Sequence, residues 1–136
     1  MPKIIAIDYG LKRCGIAETD NSQIIASALT TVETKTIFQF LDQYFAKNAA
    51  NEIVLGEPKK LDTSDTHTSQ PVRDFRKKLE EKYPDKKIHM MDERFTSKMA
   101  FQTMIDGGLS KKQRQNKAMV DQISATIILQ SFLQSR

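Results

Sequence analysis

The sequence predicts an α/β fold in which helices cover a mixed sheet of about five strands. Three observations carry this. Short, mainly apolar runs at Ile4-Ile5-Ala6-Ile7, Ile53-Val54-Leu55 and Ile88-His89-Met90-Met91 read as strands buried on both faces. Segments with the apolar period of an amphipathic helix lie between and after them. A hairpin pattern directly follows the first run and adds an antiparallel edge to a sheet whose other strands are joined through helices.

Taken in order, the first strand ends at Asp8, and Gly10 and Gly15 bracket the bend that follows. Residues 13–18 and 23–31 read as two more strands, with Asp20-Asn21-Ser22 as the turn between them. Ile37, Phe40, Leu41, Tyr44 and Phe45 then mark one face of a helix that ends at 48–51. The second buried strand, 53–55, closes at Gly56-Glu57-Pro58. Residues 59–70 have no apolar period and are expected to form a mobile loop. Pro71 suits the first turn of a helix carrying Val72, Phe75, Leu79 and Tyr83 on one face. The third buried strand runs into Asp92-Glu93-Arg94. Thr96 or Ser97 can cap a further helix, which Gly107-Gly108 ends. A last helix, 118 to about 133, is apolar round most of its circumference and is expected to be well buried.

Composition narrows the class. A chain of 136 residues suits one domain, 1–136, and leaves little room for two. Its formal net charge of +4 permits a polyanionic partner without demanding one. No apolar run approaches the roughly 20 residues that cross a bilayer, so no membrane partner is expected. Met1-Pro2-Lys3 leads straight into a strand, which predicts no signal peptide. Cys14, the single cysteine, cannot form an internal disulfide and reads as a small buried hydrophobe. A cytoplasmic protein is expected.

The chemistry is suggested by recurrence. Each buried strand meets an acid within two residues of its end: Asp8, Glu57, and Asp92 with Glu93. In an open α/β sheet ligands sit outside the carboxyl ends of the strands, so parallel strands would gather these acids along one edge. Asp121 heads the row Asp121, Ala125, Ile128 and Phe132 on one face of the last helix and should point inward near them. Carboxylates brought together repel and call for a cation. Hard oxygen donors favour Mg²⁺ or Mn²⁺, and neither histidine nor cysteine has zinc-ligand spacing. Each acid also has a plainer reading. Asp8 suits a turn, Glu57 can face solvent, Asp92 and Glu93 can pair with Arg94, and Asp121 can sit against a helix dipole. His67 reads as a surface residue and His89 as structural.

Four blocks then make the sequence specific. They are Ile7-Asp8-Tyr9-Gly10 with Lys12, Gly15, Ile16 and Ala17; Ile53-Val54-Leu55-Gly56 with Pro58; Asp92-Glu93-Arg94-Phe95-Thr96-Ser97; and Asn116-Lys117, Val120-Asp121 and Ile127-Ile128-Leu129-Gln130. In this order and length the chain resembles the YqgF/RuvX family, relatives of the RuvC junction nuclease. The resemblance implies an RNase H-like fold and a nuclease whose acidic cluster binds Mg²⁺ or Mn²⁺. Carried over by position, it implies Asp8, Glu93 and Asp121 as catalytic residues, with Asp92 beside them as a further metal ligand. Glu57 departs from the apolar residue usual at its position, and Asp62 lacks the glycine that usually follows it.

Lys12, Arg94 and Lys117 lie nearest the acidic edge, with Arg13 beside Lys12, and are the candidate phosphate contacts. Within the family, the expected activity is metal-dependent phosphodiester hydrolysis at the 5′ end of pre-16S ribosomal RNA. Resolution of four-way DNA junctions is the alternative. A resolvase needs a two-fold dimer, and no exposed apolar helix face stands out, so a monomer is favoured over a dimer. Two further classes compete. One is a nucleotide-phosphate binder of the actin or sugar-kinase type, built from two such domains, for which 136 residues leave no room. The other is a non-catalytic RNA-binding module of ribosome assembly, against which the retained acids argue.

Overall fold

The computed structural model describes residues 2–57, 69–92 and 117–135. Strands β1 (Lys3–Asp8), β2 (Arg13–Thr19), β3 (Ala26–Glu33), β4 (Ala50–Glu57) and β5 (Lys87–Asp92) form one sheet in the order β3-β2-β1-β4-β5. Helices α1 (Ile37–Lys47), α2 (Ser69–Lys82) and α3 (Lys117–Ser135) complete the described elements, with a single 3-10 turn at Thr34–Thr36 before α1. β2 pairs antiparallel with β1 and β3, whereas β4 pairs parallel with β1 and β5. The mixed sheet expected from the sequence is therefore present, with the hairpin at its antiparallel edge. The expected loop over 59–70 and the helix ending at Gly107-Gly108 lie outside the described residues, apart from Ser69 and Gln70, which open α2.

β1 is central because it is apolar on both sides. Ile5 and Ile7 join Ile53, Leu55 and Ile16 in a core closed by Ile37, Leu41 and Tyr44 of α1 and by Phe75 and Leu79 of α2. Ile4 and Ala6 face the other way, onto Ala17, Val54 and the α3 residues Ala125, Ile128, Leu129 and Phe132. Each isoleucine so buried contributes roughly 1.5–3 kcal/mol. Strand alternation places Asp8, two residues beyond Ala6, on the α3 side of the sheet.

Several element ends differ from the sequence reading for local reasons. β3 begins at Ala26 rather than Gln23 because the Asp20 carboxylate accepts from the backbone N–H of Ile24 and Ile25, at 2.8 and 3.1 Å, and holds both in the turn. Gln23 completes that turn with a φ of 58°. β4 begins at Ala50, where it pairs with Lys3 across a bulge. α3 is not uniformly buried. A stripe of Ser124, Ala125, Ile128, Leu129 and Phe132 is buried, and its flanks are half-buried.

Candidate active site

The register of the sheet sets out the acidic edge. Ile7 pairs with Leu55 and Leu55 with Met90; β1 ends one residue beyond this level, and β4 and β5 end two residues beyond it. Asp8 closes β1, and Glu57 pairs with Asp92 where β4 and β5 close. The parallel strands thus finish on one edge, as expected, and Asp8 pairs across the hairpin with Gly15 of β2.

Gly15 explains how α3 reaches that edge. A Cβ on Gly15 would collide with the backbone carbonyl of Asp121 and would stand 3.0 Å from the Asp121 Cβ. Only a residue without a side chain lets the helix come this close. Asp8 is the strand partner of Gly15 and Asp121 lies over it, so the two aspartates are gathered about one glycine. Both carboxylates also act on the Cys14 thiol. Burial is the largest influence and pushes that thiol up; hydrogen bonds with Thr34 and Gly10 oppose it, and the charges of Asp8 and Asp121 add to it. Cys14 is fully buried in the core and close to Thr34, its sulfur 3.5 Å from the hydroxyl.

Arg13 supplies countercharge. Its Nε donates to Asp121 Oδ2 at 2.7 Å, and the two side chains are 35% and 25% exposed. The sequence reading gave Arg13 to nucleic acid alone and missed this pair, which joins residues 108 apart. The bend between β1 and β2 is pinned in turn. Thr34 Oγ1 donates to the Gly10 carbonyl at 2.6 Å, and the Thr34 N–H donates to the Lys12 carbonyl at 3.0 Å. Lys12 is exposed at the tip of this bend.

The remaining predicted residues are placed as follows. Asp92 is the last residue of β5 and Lys117 the first of α3. Glu93 and Arg94 lie outside the described residues, as does His67. His89 is structural: its Nε2 is 3.0 Å from Glu52 and its ring lies 4.7 Å from that of Phe132.

Among the described residues no group of three or more His, Cys, Asp or Glu side chains could hold a metal ion. The donors at the edge nevertheless match a hard divalent cation in kind. They are carboxylate oxygens, while the imidazole of His89 is engaged by Glu52 and the thiol of Cys14 is turned into the core.

A family model described as RuvX, Holliday junction resolvase, matches residues 2–135. The chain belongs to the RuvX family. The "Putative pre-16S rRNA nuclease" of Flavobacterium johnsoniae is 53% identical over 136 residues, covering 100% of this chain and 99% of that protein. The protein of the same name from Flavobacterium psychrophilum is 55% identical over 133 residues, covering 98% and 97% of the two chains. Among solved structures, Fowlpox virus resolvase, in complex with Holliday junction DNA, superposes with a TM-score of 0.64 at 12% identity over 98% of this chain and 97% of that one. RuvC of T. thermophilus, with its Holliday junction substrate, gives 0.56 at 11% identity over 99% and 98%. At such identities the two structures speak for the fold, which is RNase H-like. In this RuvX-family chain the parallel strands β1, β4 and β5 end in Asp8, Glu57 and Asp92.

Proposed function

We propose that this RuvX-family chain is a metal-dependent endonuclease that processes the 5′ end of pre-16S ribosomal RNA. Its class, a hydrolase of nucleic acid, follows from its family; the metal, the substrate and the residues are the proposal. The observation that carries it is the approach of Asp121 to Gly15, the strand partner of Asp8, at the edge where β1, β4 and β5 end.

Asp8 and Asp121 would hold the ion, together with Glu93 and Asp92. A divalent metal bound there supplies an activated water and stabilises the leaving oxygen. The chain's own part is positioning. Gly15 fixes the height of α3 above the sheet, and Arg13 fixes the orientation of the Asp121 carboxylate through Oδ2. Lys12, exposed on the adjacent bend, meets the phosphate backbone, and Arg94 and Lys117 are proposed for the same task.

Curated relatives bearing the pre-16S nuclease name favour RNA, whereas the description of the family model favours four-way DNA junctions. Incubating the protein with precursor ribosomal RNA and with a junction, each with Mg²⁺, Mn²⁺ or EDTA, separates them. The expected result is metal-dependent cutting near the 5′ end of the RNA and an intact junction. Paired symmetric cuts in the junction alone would reassign the substrate. Undiminished RNA cleavage in EDTA would overturn the metal.

A further inference from the structure

A concave feature lies at the same edge of the sheet as Asp8, on the face away from α3. It is a cleft of about 400 Å³ between the start of α1 and the start of α2. Phe75, 3% exposed, belongs to the buried core beneath it. Tyr9 stacks on Phe75 with centroids 4.6 Å apart and planes 28° apart, and Phe38 leans on the same ring at 5.3 Å. Tyr9 and Phe38 remain half-buried, so aromatic surface is left facing the cleft. Lys35 and Lys78, both exposed, and Asp74 complete the part of the lining that matters here.

We propose that this cleft is a subsite for one unpaired nucleobase of the substrate strand, with Lys35 and Lys78 meeting the phosphates on either side of it. Tyr9 directly follows Asp8, and strand alternation puts them on opposite faces of the sheet. A strand whose scissile phosphate lies at Asp8 therefore passes over the sheet edge at Tyr9. Every base presents a π-face, so an aromatic platform holds it without regard to sequence. An apolar small molecule would account for the rings but not for the lysines at the rim. Lys35 already pairs with Glu33 at 3.2 Å, but the two side chains are 81% and 65% exposed, and such a pair is readily exchanged for a phosphate. Asp74 accepts from Gln70 at 2.9 Å and lies where an acceptor can meet a base amino group. Bases within a duplex are stacked and cannot enter without being flipped out. The inference rests on the nuclease reading for the course of the strand, and it adds that an unpaired nucleotide beside the cleavage point is required.

The chain contains no tryptophan, so Phe38→Trp creates a single fluorophore at the cleft while keeping an aromatic ring there. Titrated in EDTA with a single-stranded oligoribonucleotide, this variant is expected to show saturable quenching. The same sequence as a duplex should give little. Adding Lys35→Ala and Lys78→Ala should move the midpoint up about five-fold or more. In the metal-loaded enzyme, Phe38→Ala should raise KM for substrates with an unpaired flank by a similar factor and leave kcat nearly unchanged. Cleavage without quenching, or equal quenching by the duplex, overturns the subsite. Quenching by single strands in a protein that cleaves nothing overturns the nuclease reading and leaves the subsite standing.

Discussion

Gly15 and Asp121 are in backbone contact: the second turn of α3 rests on the one residue of β2 whose side chain is a hydrogen atom. The contact sets the height of the helix over the sheet edge, and with it the position of the Asp121 carboxylate relative to Asp8. Gly15→Ala forces either the helix or the strand to move. Overpacking of this kind costs about 1–3 kcal/mol, and activity should fall further than the lost folded fraction explains. Denaturant titration beside a cleavage assay at a temperature where both proteins are folded checks this. Full activity in a protein of wild-type stability would mean that the contact yields freely.

Arg13 should matter more to the site than to the fold. A partly exposed ion pair contributes about 0.2–1 kcal/mol, so Arg13→Ala is expected to lower stability by no more than about 1 kcal/mol. Activity should drop well beyond that, since the Asp121 carboxylate loses the group that orients it. Arg13→Lys keeps the charge but not the donor geometry of Nε, and it should restore stability more fully than turnover. Equal restoration of both would reduce Arg13 to a simple countercharge.

What the sequence made legible follows from how each segment is buried. β1 is the middle strand and β4 lies beside it, and their apolar runs announce them. β5 is the strand at the far edge, and its residues 88–91, read from the sequence as buried on both faces, are half-buried. β3 lies at the edge with a half-polar pattern, and its true start depends on one carboxylate, Asp20, that a periodicity cannot weigh. The first residues of β4, Ala50, Asn51 and Glu52, are hidden for a similar reason. Their pairing with β1 and β5 is a backbone matter, and Glu52 is polar because it meets His89. At the site, the acids at the strand ends could be read from recurrence alone. The Arg13–Asp121 pair could not, because it depends on α3 crossing above β2. Gly15 in an otherwise apolar strand was the available signal that another backbone passes close by.

Lys12 provides a test of the nucleic-acid edge. It is exposed, and its backbone is held by the Thr34 N–H, so Lys12→Ala should leave the bend intact. Affinity for RNA should fall as salt rises, because phosphate contacts release counterions, and the log–log slope should shrink by about one in the variant. Filter binding of the wild type and the variant across a salt series measures it. A wild-type affinity that does not vary with salt would contradict a backbone-tracking edge.

The alkaline limit of stability should involve Tyr44. Burial first, then its hydrogen bond to Glu18 at 2.6 Å and the charge of that carboxylate, raise its phenol well above the ordinary value of 10.0. A raised folded value stabilises the protein fully below the unfolded value, and that contribution is lost as pH climbs toward the folded one. Stability should therefore decline above about pH 10. Tyr44→Phe should be less stable than the wild type near neutrality, and the gap should narrow between about pH 9 and 11. Urea titrations of both proteins over this range decide it. A gap independent of pH would show that Tyr44 ionises as easily in the folded protein as in the unfolded chain.

The most direct test of the account is Asp8→Asn, which keeps the shape at the end of β1 and removes one carboxylate. Melting curves and RNA cleavage are measured for the wild type and the variant, each with Mn²⁺ and with EDTA. Wild type should gain stability from Mn²⁺, because an ion bound only by the folded cluster shifts the equilibrium toward it, and should cleave only with metal. Asp8→Asn should fold in EDTA, gain much less from Mn²⁺ and lose activity by orders of magnitude. A variant that cleaves like the wild type and responds equally to Mn²⁺ would return Asp8 to the role of a turn residue and contradict the proposed site.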